Sequence, residues 1–142
     1  MGRRQDQEIL YNLDFCNNNY VLNISNLILL KGELGSGKTT LSRYLIKHIY
    51  LLNKIEPPKI VPSPSFTILQ SYYIKNFMIH HFDFFRIKDI KEITEIGFEE
   101  CINGNIVIIE WPEIVMPMIS KLNKIEIELS IVSNSTRKII FY

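Results

Sequence analysis

Alanine is missing altogether from this chain of 142 residues, while isoleucine, asparagine and lysine are abundant. Such a skew points to a nucleotide bias in the coding genome, so a single Ile, Asn or Lys carries less functional information than usual. Cysteine is scarce as well. Cys16 and Cys101 lie far apart and in no metal-ligand or redox spacing, which excludes a disulfide framework and leaves two free thiols in a reducing compartment as the expectation. Charge of one sign does not accumulate: Lys plus Arg number 16 against 15 Asp plus Glu, a net +1. Without long basic runs the chain lacks the electrostatic footprint of a stand-alone nucleic-acid binder, although RNA could be met indirectly. No apolar run reaches the length of a membrane span. The opening Met-Gly-Arg-Arg is not followed by an apolar stretch, which argues against a signal peptide, and Asp6 stands where N-myristoylation wants Ser or Thr. A cytoplasmic protein without membrane association is expected.

What is present is organised around Gly32-Glu33-Leu34-Gly35-Ser36-Gly37-Lys38-Thr39-Thr40, which fits the phosphate-loop pattern of glycine, four residues, glycine, lysine and hydroxyl. Its glycines open backbone conformations closed to residues with a Cβ, so that successive N–H groups from Leu34 to Thr40 can turn inward on an anion. Lys38 would reach the β- and γ-phosphates of a nucleotide, and the Thr39 hydroxyl would ligate Mg²⁺. The following helix adds orphan N–H donors and the positive end of its dipole. The flanks agree with this reading. Leu27-Ile28-Leu29-Leu30 is an apolar run of the kind a strand buried on both faces of a parallel sheet requires. Leu41, Tyr44, Leu45, Ile49 and Leu52 recur at helical spacing. At this length one domain over residues 1–142 is expected, long enough to bury a core and too short to add a substrate domain, so any second substrate would be brought by a partner.

Before the loop, residues 9–13 read as a short edge strand, and Asp14 as the N-cap of a weak helix. After the loop helix, four prolines in residues 54–64 enforce an extended or turning path. Residues 65–74 read as a strand, Lys75-Asn76 as a tight turn and residues 77–85 as the returning strand, a hairpin unusual in a P-loop domain. On that strand His81, Asp83 and Phe85 share one face, with Phe82 and Phe84 on the other. Residues 89–102 carry helical periodicity broken at Gly97, suggesting two short helices or one broken one. Ile106-Val107-Ile108-Ile109 is a second buried strand, and residues 125–132 and 137–142 form a closing hairpin.

A phosphate loop needs a second acidic residue, because metal and attacking water both require ligands from elsewhere in the sheet. Glu110, at the end of the second apolar strand, has the Walker B arrangement and is the candidate metal ligand beside Thr39. Asp83 is the second carboxylate, open to water positioning, an outer metal contact, or an ion pair with Arg86. His81 alone would more often be structural. Trp111 could cover a nucleotide or merely pack.

The set GELGSGKTT, SPSFT with a downstream Tyr, HFDFFR, IGFEE and IEWPE, in this order, resembles the TsaE family of small bacterial ATPases, which serve the biosynthesis of threonylcarbamoyladenosine in tRNA. The likeness runs from about residue 26 to residue 113 and, loosely, through the closing hairpin. The pairing of HxDxYR with EWPE is its discriminating part. It implies an α/β fold, a three-layer P-loop NTPase with a mostly parallel central sheet plus β-hairpins, that binds ATP or ADP with Mg²⁺. By the resemblance Lys38 and Thr39 are the phosphate and Mg²⁺ ligands, Glu110 the second metal ligand and Asp83 an acid needed for hydrolysis. The Ser65 hydroxyl, in a switch-like segment, would sense the γ-phosphate, and Trp111 and Arg137 would stand near the nucleotide. The partners implied are two related subunits of the threonylcarbamoyl-transfer complex, with tRNA met indirectly. Phe85 departs from the family pattern by replacing a Tyr, Ser65 replaces a common Thr with its hydroxyl kept, and the proline-rich connection is longer than expected.

Two rival readings stand beside this one. A P-loop kinase acting on a small molecule would want a lid of arginines, and Arg3, Arg4, Arg43, Arg86 and Arg137 form no such cluster. A nucleotide-occupied subunit that never turns over is compatible with Phe85, whereas retention of Lys38, Thr39, Asp83 and Glu110 together argues for hydrolysis.

Overall fold

A computed structural model describes residues 26–142. The strand expected at residues 9–13, the helix capped by Asp14, and Cys16 lie outside the described residues. In chain order the elements are β1 (Leu27–Lys31), α1 (Lys38–Leu52), β2 (Leu69–Ile74), β3 (Phe77–Asp83), α2 (Ile90–Glu95), α3 (Phe98–Ile102), β4 (Ile106–Glu110), a 3₁₀ turn (Pro112–Val115), α4 (Met116–Ile119), β5 (Ile125–Ile131) and β6 (Arg137–Phe141).

The two apolar runs become the centre of one six-stranded sheet ordered β2-β3-β4-β1-β5-β6. The inner strands β3, β4, β1 and β5 run parallel, and each edge is closed by an antiparallel partner, β2 on β3 and β6 on β5. β1 and β4 can be apolar at successive positions because both of their faces are covered. On one face Ile28, Leu30, Ile106 and Ile108 pack under Leu45, Ile46 and Ile49 of α1. On the other, Leu27, Leu29, Val107 and Ile109 meet Phe82, Ile93, Phe98 and Val115. The result is the expected α/β arrangement of helices on both sides of a mostly parallel sheet. Phe82 and Phe84 each lie against Phe98 edge-on, with centroids 5.3 and 5.8 Å apart, the arrangement the ring quadrupole prefers.

Gly97, at φ 75°, separates α2 from α3 and explains the broken periodicity of that segment. α2 is started by Asp89, whose side chain accepts from Lys91 N while Glu92 reaches back to the Asp89 N–H, a reciprocal capping box. The expected strand over residues 65–74 is shorter than its composition suggested. It begins at Leu69, because residues 65–67 form a turn closed by the Ile68 N–H donating to Pro64 O at 2.7 Å, with Ile68 at φ 68°. Tertiary demand there overrides β propensity. The returning strand ends at Asp83 rather than Phe85, although the Phe84 N–H still donates to Glu110 O at 3.0 Å.

The register decides where chemistry can occur. Leu30 and Asp83 both lie beside Glu110 in the ladders, so three strands bring their carboxyl ends to one edge. The phosphate loop leaves the same edge from β1. In an open α/β sheet this is where the crevice for a ligand forms.

Candidate functional site

The loop between β1 and α1 is shaped by Gly32 at φ 146° and Gly37 at φ 99°, and α1 begins directly at Lys38 with no side-chain cap. Its first N–H groups are therefore left for a ligand. The Lys38 side chain curls back over the loop: Nζ donates to Gly32 O at 2.7 Å and Glu33 O at 2.9 Å, and lies 3.9 Å from the centroid of the Trp111 ring. Burial lowers the Lys38 pKa, while the charges of Glu110, Asp83, Glu113 and Glu33 push it back up. Trp111 sits in a left-handed conformation at φ 56°, uncommon for a bulky residue, and that turn aims its ring at Lys38. Its other neighbour is Phe85, with centroids 4.8 Å apart.

Glu110 is 2% exposed and has hydrogen-bond partners in three side chains on two elements, α1 and β3. Thr39 Oγ1 donates to Oε2 at 2.9 Å, Ser42 Oγ lies 3.1 Å from Oε1, and His81 Nε2 lies 2.8 Å from the same Oε1. Asp83 stands on the neighbouring strand, its Oδ1 accepting from the Phe85 N–H at 2.9 Å and its Oδ2 from the Ser65 hydroxyl at 3.3 Å. Burial raises the Asp83 pKa most. The Phe85 N–H opposes the shift and the Glu110 charge adds to it. The ion pair considered between Asp83 and Arg86 is absent: the Arg86 guanidinium lies over the Phe66 ring, 4.1 Å from its centroid.

These groups enclose a cavity of about 390 Å³. Of the residues the sequence singled out, Leu34, Gly35, Gly37, Lys38, Thr39 and Thr40 line it from the loop side, and Ser65, Asp83, Glu110 and Trp111 from the sheet side. Ser36 and Arg137 do not. Ser36 is fully buried beneath the loop. Arg137, on β6, donates through Nε to Ser36 O and through Nη2 to Gly35 O, both at 3.2 Å, so it braces the outside of the loop. It also lines a second groove of about 480 Å³ between the start of α1 and the β5–β6 hairpin. Arg86 and Phe85 enter the first cavity without having been assigned a role there. Ser42 and the His81–Glu110 contact were also missed. A hydroxyl three residues past Thr39 on a helix faces the same way and was the available signal for Ser42.

The close packing of the loop makes a sharp prediction. A Cβ on Gly32 would sit 2.4 Å from Leu129 O and 2.6 Å from Ser36 Oγ. Gly32→Ala is therefore expected to cost about 2–5 kcal/mol from overlap and backbone strain together, read as a lower denaturant midpoint at unchanged slope.

A glycine loop between a buried strand and a helix, facing carboxylates at the ends of the adjacent parallel strand and of the one beyond it, defines a P-loop α/β protein. Residues 10–139 match the family model described as threonylcarbamoyl adenosine biosynthesis protein TsaE. The chain belongs to the TsaE family. A Rickettsia typhi protein named tRNA threonylcarbamoyladenosine biosynthesis protein TsaE is 42% identical over 113 residues, covering 80% of this chain and 74% of that one. An Aquifex aeolicus protein of the same name is 31% identical over 118 residues, covering 83% and 77%. The crystal structure of YdiB from Bacillus subtilis shares the fold, with a TM-score of 0.55 at 20% identity over 96% of this chain and 78% of that one. The family is one of tRNA threonylcarbamoyladenosine biosynthesis. Among the described residues no helix is long and apolar enough to cross a membrane.

Proposed function

We propose that this chain binds and hydrolyses Mg-ATP in support of the complex that forms threonylcarbamoyladenosine in tRNA. The observation that carries the reading is the meeting of Thr39 Oγ1 with Glu110 Oε2 at 2.9 Å, at the start of a helix whose first side chain is Lys38. A helical hydroxyl beside a strand-end carboxylate is a pair of hard oxygen donors, the chemistry Mg²⁺ prefers. Thr39 and Glu110 would hold the ion, which when bound neutralises charge on phosphate oxygens.

The chain's own groups then divide the work. Lys38 is a desolvated cation tethered by two loop carbonyls, the Ser36 hydroxyl at 3.4 Å and an aromatic face, free to exchange these for phosphate oxygens. The loop N–H groups bind, and Trp111 with Phe85 shields the cavity from water. Asp83, whose pKa burial raises, is suited to orient a water and take up its proton at Oδ2. The Ser65 hydroxyl on Oδ2 links that carboxylate to the segment before β2. The second groove, with Leu41, Tyr44 and Ile139 as apolar walls and Asn134 and Ser135 at its rim, suits a base and its sugar. Two related subunits of the threonylcarbamoyl-transfer complex are the proposed partners, with tRNA met through them.

The test is ATP hydrolysis by the pure chain, with and without that partner pair. Turnover that rises with the partners and falls at least about a hundredfold in Asp83→Ala supports the reading. Tight ATP binding with no turnover under either condition overturns it in favour of a non-hydrolysing subunit, which the missing hydroxyl at Phe85 would then help explain.

A further inference from the structure

We propose that His81 is the positioning residue for Glu110, an inference that rests on reading Glu110 as the metal-side carboxylate. His81 is completely buried on β3, and its Nε2 lies 2.8 Å from Glu110 Oε1. Ser42 Oγ, from α1, lies 3.1 Å from that same oxygen and 2.9 Å from Lys38 O, so its one proton is shared between the two acceptors and His81 is the undivided donor. Both contacts fall on Oε1, so Oε2 is the atom turned toward Thr39. The terminal torsion of a glutamate is broad and roughly two-fold. The imidazole N–H, with the shared Ser42 hydroxyl on the other side, converts it into a fixed plane with one oxygen anchored and one presented.

The ring's other nitrogen strengthens the case. His81 Nδ1 is buried with no hydrogen-bond partner among the described residues. A buried polar atom left unpaired is costly, and an apolar side chain on this face of β3 would avoid that cost. The adjacent His80 shows the contrast: its Nδ1 meets Ser71 Oγ at 2.8 Å across the β2–β3 ladder, a contact that ties two strands and touches nothing in the cavity. Partners behind a metal-side ligand orient it and govern metal affinity, and among the described residues His81 is the only imidazole in contact with Glu110.

The experiment compares His81→Gln and His81→Asn in the full chain. A glutamine amide nitrogen stands as many bonds from Cα as Nε2 does, whereas the asparagine nitrogen is one bond short and cannot reach Oε1. Three quantities are read: affinity for ADP without metal, by Trp111 fluorescence; affinity of the ADP-bound chain for Mn²⁺, by the resonance of free Mn²⁺; and the Mg²⁺ dependence of ATP turnover. His81→Asn is expected to weaken Mn²⁺ binding and to raise the Mg²⁺ needed for half-maximal turnover by about 10- to 100-fold. Metal-free ADP binding should stay within about twofold, and His81→Gln should recover most of the loss. Equal losses in both variants, no loss in His81→Asn, or ADP and Mn²⁺ affinities falling together would overturn the proposal. If His81→Asn melts below the assay temperature, His81→Gln decides alone: Mn²⁺ affinity close to the parent supports the role and its loss refutes it. A parent chain that binds ADP and Mn²⁺ but never hydrolyses ATP sinks the hydrolase reading, and the Mn²⁺ comparison then still decides the role of His81.

Discussion

Glu110→Gln is expected to bind ATP nearly as tightly as the parent chain and to lose Mg²⁺-dependent turnover by about two to three orders of magnitude. Glutamine keeps the shape and one acceptor oxygen, so the loop and Lys38 are left in place. What disappears is the negative charge that would hold the ion beside Thr39. The same change should not destabilise the fold. Glu110 is almost fully buried with Asp83 beside it on the next strand, so relief of the like-charge repulsion with Asp83 and of its own desolvation offsets the attraction to Lys38 that is lost. The melting temperature is therefore expected to stay close to that of the parent while activity falls. Glu110→Ala should lose turnover equally but melt lower, since it strips the acceptor from Thr39, Ser42 and His81 at a cost of roughly 1–3 kcal/mol. Parallel titrations of ATP with and without Mg²⁺ separate the two effects. An equal loss of metal-free ATP binding in Glu110→Gln and in a lysine-deleted loop would contradict the separate roles given to these residues.

How much of this was legible beforehand depended on how local the cause was. β1 and β4 could be read as doubly covered strands because their apolar runs are continuous, and the loop because glycine, lysine and hydroxyl stand at fixed spacing in one segment. Glu110 followed from its position at a strand end. The broken helix at Gly97 was equally local. The segment from Ser65 to Ile68 was not, since its β-branched and aromatic composition says strand while a hydrogen bond back to Pro64 and the Ser65–Asp83 contact make it a turn. The joining of His81 to Glu110 required knowing that β3 and β4 are neighbours, residues 29 apart brought level by a parallel ladder, and no periodicity encodes that order. The pairing of Arg86 with Asp83, one of three alternatives open at the sequence, failed for the opposite reason. Sequence proximity suggested it, but β3 ends at Asp83 and the guanidinium lies over Phe66 instead. Arg137 shows a third case, a basic residue expected at the nucleotide whose grip on the outer carbonyls of the loop, beside the second groove, no sequence spacing announced.

Lys38→Ala is expected to weaken ATP binding by about two to three orders of magnitude while leaving the fold intact. The lysine is buried against the loop, and its pKa is lowered first by that burial, so the folded protein holds this cation at a cost and loses little stability without it. Its value lies in what it exchanges. On the proposed binding of ATP, the contacts to Gly32 O, Glu33 O, Ser36 Oγ and the Trp111 ring would give way to phosphate oxygens, and charge-assisted hydrogen bonds of this kind contribute about 1.5–3 kcal/mol each. Two of them correspond to roughly 3–4 kcal/mol after the lost loop contacts are set against them, or a factor of about 10²–10³ in Kd. Deletion has a second consequence, because the Lys38 charge interacts with those of Glu110 and Asp83, and without it a polyanion must approach two carboxylates less well screened. Mg²⁺ should therefore rescue part of the loss in Lys38→Ala by supplying positive charge at Glu110, and Glu110→Gln added to Lys38→Ala should recover metal-free binding through the removal of one negative charge. Isothermal titration of ATP into the single and double variants tests both expectations, and a double variant that binds no better than Lys38→Ala would show that repulsion from Glu110 plays no part in the lost affinity.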